Sequence, residues 1–316
     1  MSPAWQVDPQ EYPNPHLRGL EEDYRKRVFR FEDDTVDLIY ALYVEAGRDI
    51  RDWVSDSFAS MGISSLTYEN GGRQWVRRFK AYVGERIPQI PIARLVYDRT
   101  VELYGLSYYM RLWQLQMATG AEYPMLLPLS DREASDKVLA QEAVLPSGDE
   151  LIYMLLGREW RETYADELDR LVIDLRVGIE GVLMRREGES KVMQFVRSRL
   201  GIDSVGRTTR AKNRASFNKV QTLSRTYMAD TMVRSSLTAY KDSDVVKRVQ
   251  WLTASDNRVC SICLGFRNKT WKLDSPRLRR PVRDSHPNCR CDLAPVVAKV
   301  DPTIDVSGFD DWLAQF

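Results

Sequence analysis

Residues 251–296 read WLTASDNRVCSICLGFRNKTWKLDSPRLRRPVRDSHPNCRCDLAPV, and this stretch holds all four cysteines of the chain, Cys260, Cys263, Cys289 and Cys291. His286, one of only two histidines, lies among them. Cys260 and Cys263 form C-x-x-C, the spacing at which one tight turn aims two thiolates at a common ion about 2.3 Å from each. In an extended 289–291 segment Cys289 and Cys291 share a face, because side chains alternate along a strand. Five donors therefore compete for four tetrahedral positions. Zn2+ in a structural role suits thiolate and imidazole best, and a four-donor cage fits a loop-rich module with little apolar core.

Disulfides and four unligated thiols are the competing readings. The start, MSPAWQVDPQEYPNPHLRG, has no basic-then-apolar signal, which predicts a soluble, unsecreted chain in a reducing compartment, where disulfides are uncommon. A catalytic zinc is not expected. It needs an open coordination position and a nearby carboxylate, yet Pro287 follows His286 and the only neighbouring acids are Asp256, Asp284 and Asp292. The chain has no P-loop, G-x-G-x-x-G, G-x-S-x-G or H-E-x-x-H motif, so an enzyme is not expected and no catalytic residue is assigned.

Between the two halves of the cysteine cluster lie Arg267, Lys269, Lys272, Arg277, Arg279, Arg280 and Arg283, interleaved with Phe266 and Trp271. Such a loop can grip phosphates or an acidic protein surface, or be a solvated face. The wider charge pattern agrees with a basic lobe. The 316 residues balance to a net charge of +1, but residues 1–200 hold 26 Lys and Arg against 33 Asp and Glu, and residues 201–300 hold 20 against 8. No Glu follows Glu189. The change in character sets three expected regions: a helical body over 1–200, a basic zinc-binding module over 201–300, and an acidic tail over 301–316.

No proline occurs between Pro15 and Pro88 or between Pro146 and Pro276, so long helices are permitted in both intervals. Leu17, Leu20, Tyr24, Val28, Phe31, Thr35, Leu38 and Leu42 step by three and four, predicting a helix that ends near Gly47. Leu95 to Met117 predict another that stops at Gly120, and Leu151 to Val182 a third running toward Gly188, roughly 55–60 Å long. That length predicts an elongated body. A basic helix with many small residues is expected over 208–241, and a strand begins after Asp244. The fold class is therefore mostly α, an elongated helical N-terminal body followed by a small α+β zinc-binding module. In the tail, Phe309, Trp312, Leu313 and Phe316 form one apolar helical face for docking.

Taken together, Trp251, Thr253, Asp256, Arg258-Val259-Cys260, C-x-x-C, a basic loop, HPNCRC at 286–291 and Pro295 resemble the phage Mu F-like minor head proteins, over about residues 205–300. The resemblance implies a minor capsid and head morphogenesis protein bound to the portal vertex inside the head, assisting assembly and DNA packaging or delivery. It implies the portal protein as partner, with the major capsid or scaffolding protein and packaged DNA as further candidates, and no membrane. The virion, and the host cytoplasm during assembly, are the expected locations. The acidic helical body is expected to be the portal-binding half. The alternative is a zinc-dependent nucleic-acid-binding protein or nuclease.

Overall fold

The computed structural model describes residues 17–61, 71–87, 92–120, 160–201, 216–254 and 259–297. They form α1 (Arg18–Met61), α2 (Gly72–Arg86), α3 (Ile92–Thr119), α4 (Trp160–Met184), α5 (Glu189–Leu200), α6 (Ser216–Asp242), β1 (Arg248–Leu252), α7 (Ser261–Phe266), β2 (Thr270–Lys272) and β3 (Asp292–Val296). The fold is mostly helical, with one small antiparallel sheet of order β2-β1-β3. Among the described residues no helix is long and apolar enough to cross a membrane.

Two helix ends follow from backbone chemistry. Gly120 adopts φ 64° and donates to Gln116 O, and Gly201 adopts φ 95° and donates to Arg197 O, so a residue without Cβ closes α3 and α5. The first of these is the expected stop. Gly47, by contrast, does not end α1. Ile50, Val54 and Phe58 continue the buried stripe, and their burial outweighs the roughly 1 kcal/mol that glycine costs inside a helix. Beyond Thr35 the buried stripe also differs from the expected one: Val36, Ile39 and Tyr43 are buried while Leu38 is 46% exposed.

The contacts gather the chain into two units: residues 1–34, 97–157 and 225–316, and residues 35–96 and 158–224. The sequence reading divides the chain at residue 200, whereas each unit draws on both sides of that position. In the first unit the lower half of α6 meets α3 through small residues. Tyr104 Oη donates to Thr238 Oγ1 at 3.2 Å and Tyr108 Oη to Asp242 Oδ2 at 2.8 Å, one turn apart on each helix, so the two run parallel. Ser235, Ser236 and Ala239 are buried there, as the run of small residues predicts. In the second unit Trp53, Phe58, Trp75, Phe79 and Tyr82 form a cluster of rings with centroids 5.2–5.8 Å apart.

The sheet belongs to the first unit. Trp251 is fully buried, and its ring packs with those of Phe266 and Trp271 at 4.8 and 6.4 Å. β3 pairs with β1 from Arg248↔Val296 to Leu252↔Asp292. Pro295 is tolerated because β3 is an edge strand, where a missing N–H breaks no second ladder. The tail residues Phe309, Trp312, Leu313 and Phe316 lie outside the described residues, as do 121–159.

Candidate metal centre

Each half of the donor set is shaped by its own local backbone. Cys260 is the N-cap of the six-residue α7, and its sulfur accepts the Cys263 N–H at 3.4 Å. Leu264 N–H in turn donates to Cys260 O at 3.0 Å. This single turn brings the C-x-x-C sulfurs to one side, with Cys263 fully buried. On the other half, Val282 and Asn288 adopt left-handed φ of 67° and 56°. Asparagine tolerates that region and a β-branched valine does not, so the turn at Val282 is held by its context. Val282 N–H donates to Ser285 Oγ at 3.1 Å and its side chain is fully buried.

The five donors come together in two overlapping triads, Cys260–Cys263–His286 and Cys263–Cys289–Cys291, with the ligand atoms of each within 4.8 Å of one another. Cys263 is common to both. All four thiols are free of disulfide bonds. The spacing suits a metal tetrahedron: zinc bonds of about 2.3 Å to sulfur and 2.0–2.1 Å to nitrogen give edges near ~3.8 Å for S···S and ~3.5 Å for S···N. The Cys263–Cys289 sulfurs are 3.7 Å apart and Cys263 Sγ lies 3.5 Å from His286 Nε2. A disulfide would need about 2.05 Å.

The histidine is oriented for ligation. Its Nδ1 is 2.8 Å from Pro287 O, and because a carbonyl oxygen only accepts, Nδ1 carries a proton and Nε2 is the nitrogen that faces the thiols and would ligate a metal once its own proton is displaced. The charges within the cluster favour the ligating forms unevenly. Cys289 is held well below the ordinary thiol range by hydrogen bonding from Cys263 and Cys291, with His286 contributing. His286 is pushed up to about 9, first by Cys289. Cys263 is raised by its neighbours Cys289 and Cys291, and Cys291 is raised to about 12, the sign of several thiols sharing one negative charge where no cation is at hand. A divalent ion would relieve that competition.

Among the described residues no carboxylate joins either triad. Asp284 accepts from the Arg280 N–H and pairs with Arg279 at 2.8 Å, while Asp292 pairs with Arg111 at 2.5 Å. Both acids that neighbour the donors in the described sequence are thus engaged by arginine. The cluster can hold a metal ion.

Of the basic loop, Arg267, Lys269, Lys272, Arg277 and Arg279 are exposed, while Arg280 and Arg283 are half-buried. Arg280 is lowered to about 10 by burial and by the Arg234 and Arg283 guanidinium groups. The interleaved aromatics face inward, Phe266 and Trp271 packing on Trp251 and on each other.

Residues that the sequence reading did not single out fasten the donor loop. Thr226 Oγ1 accepts the Asn288 N–H at 2.8 Å, Arg25 donates to Arg290 O at 3.2 Å, and Tyr240 Oη donates to Leu293 O at 3.0 Å. Arg111 is fully buried, bonded to both Glu21 and Asp292, and its guanidinium stacks 3.6 Å over the Tyr24 ring. One signal was present in the sequence: Arg111 is a lone charge between Met110 and Leu112 on an apolar run. The chain matches no family model, no curated protein and no solved structure.

Proposed function

We propose that the chain is a minor head protein of a tailed phage, bound at the portal vertex inside the head, with a structural zinc ion closing its C-terminal module. The supporting observation is the donor cluster: five soft donors that meet at Cys263, no carboxylate among the described residues joining them, and Asp284 and Asp292 already paired with arginines. A bound zinc would supply a cross-link between the C-x-x-C turn and the 286–291 run, as the donor types and their spacing suggest. The exposed cations of the loop make the packaged DNA or an acidic face of the portal a second contact, driven by charge and not by base reading. The protein has no catalytic role in this reading.

The test is co-expression of the full chain with portal and major capsid proteins, followed by sedimentation and elemental analysis of the assembled heads. Co-sedimentation with portal-containing heads at about one zinc per chain is the expected result. A chain that stays free of heads and consumes DNA when metal is added would replace this reading with the nuclease one.

A further inference from the structure

The five donors sit on two chain segments, and the ladder that joins those segments stops short of them. Its last pair is Leu252↔Asp292. Thr253 is the first residue past the ladder on the side leading to Cys260, and Arg290 lies between Cys289 and Cys291 on the other. One side chain reaches both. Arg25, 1% exposed on α1, donates from Nη1 to Thr253 O at 3.3 Å and from Nη2 to Arg290 O at 3.2 Å.

We propose that Arg25 is a positioning residue of the metal centre, a planar clamp that continues the β1–β3 ladder and sets the separation of the two donor segments. The inference rests on the cluster holding a metal.

Three physical points carry it. The two terminal nitrogens of a guanidinium are fixed by its planarity, so bonding one carbonyl with each fixes the distance between the two backbones; a flexible ammonium cannot do this. A hydrogen bond to the carbonyl between Cys289 and Cys291 fixes the peptide that relates their two sulfurs, which is the outer-shell control that metal ligands commonly require. Finally, three or four thiolates around a divalent ion leave the centre negative, and a buried guanidinium beside it supplies the opposite charge. Thr226 adds a second fixed point through the Asn288 N–H, but it holds only the 286–291 run. Arg25, unlike Thr226, bridges both segments.

The experiment uses the full chain and measures zinc affinity by competition with a chromophoric chelator, together with the visible spectrum of the cobalt(II)-substituted protein. Arg25→Met, Arg25→Lys and, as a buried control on α6 whose side chain has no donor for either carbonyl, Val233→Ala are compared with the wild type. Arg25→Met is expected to bind zinc about 10- to 100-fold more weakly and to change the cobalt spectrum, with Arg25→Lys recovering part of the affinity. Val233→Ala should keep wild-type affinity and spectrum. Wild-type affinity in Arg25→Met overturns the proposal, as does an equal loss in Val233→Ala, which would mean that general destabilisation explains the effect. If Arg25→Met does not fold, Arg25→Lys decides: a weaker affinity supports the clamp and an unchanged one overturns it. A wild-type chain that takes up no zinc overturns the metal reading itself, and the clamp with it.

Discussion

Cys263 is the donor shared by both triads, which makes the cysteines unequal although all four are free thiols. With five donors for four positions, loss of one outer donor leaves four, and loss of Cys263 removes the sulfur around which both triads are built. Cys263→Ser is therefore expected to abolish metal binding, whereas Cys260→Ser and Cys291→Ser should each retain at least part of it; elemental analysis and thiol titration of the three purified variants check this. Equal, complete loss in all three would mean that the outer donors cannot substitute for one another.

A second residue, Glu32, sets a pH dependence. Its carboxyl is pushed up to about 7 by burial, against the attraction of Arg225 at 2.9 Å. The folded state thus holds a proton more tightly than the unfolded chain, whose carboxyl titrates near its ordinary value of 4.5. The associated stability is complete below about 4.5 and is lost as pH rises to about 7. Relative to the wild type, Glu32→Gln should gain up to about 3 kcal/mol between pH 5 and pH 8 in urea unfolding. A constant difference across that range would show that Glu32 titrates normally.

At the scale of elements, α4 and α5 meet where Gly178 leaves room for the Phe195 ring. A Cβ built at Gly178 would collide with that ring. Alanine gains about 0.5–1 kcal/mol of helix propensity, but overpacking costs about 1–3 kcal/mol, so the clash wins. Gly178→Ala should lower stability by about 1 kcal/mol, measured by denaturant unfolding, and a stabilised variant would show that Phe195 swings aside freely. The α3–α6 pairing makes a parallel case. Tyr108→Phe removes the hydroxyl bonded to Asp242, a charge-assisted bond worth about 1.5–3 kcal/mol, and thermal unfolding should register that loss.

For the whole molecule, the interleaving of the two units decides how the chain can be cut. Glu21 and Tyr24 on α1 and Arg111 on α3 complete their bonds with Ser236 on α6 and Asp292 on β3. A fragment of residues 1–200 lacks those partners and leaves a buried arginine and glutamate without their network, a cost of several kcal/mol. That fragment is expected to lose the α1–α3 part of the first unit, seen as absent amide protection, so the proposed contact with portal is better mapped with full-length variants. Chelation of a metal held by the cysteine cluster should likewise loosen Arg225–Asp242 of α6 and the sheet before it affects α4 and α5, which belong to the other unit. Hydrogen exchange before and after chelation distinguishes this from uniform loosening.

The local part of this protein was legible in its sequence. The three- and four-residue apolar steps placed α1, α3 and α4, the run of small and basic residues placed α6, Gly120 marked an end, and C-x-x-C with HPNCRC named the donors, because helical periodicity and a one-turn knuckle need only neighbours along the chain. What depended on burial by distant residues was not. Gly47 reads as a helix end, yet α1 continues because Ile50 and Val54 are buried. Nothing in its neighbours along the chain marks Arg25, because its partners lie 228 and 265 residues away. Arg111 likewise gains its role from Glu21, 90 residues before it, and Asp292, 181 after it. A buried cation is stable only where the fold delivers its acceptors, so its place is decided by tertiary structure, while the spacing of the thiols that it helps to frame is written in the chain itself.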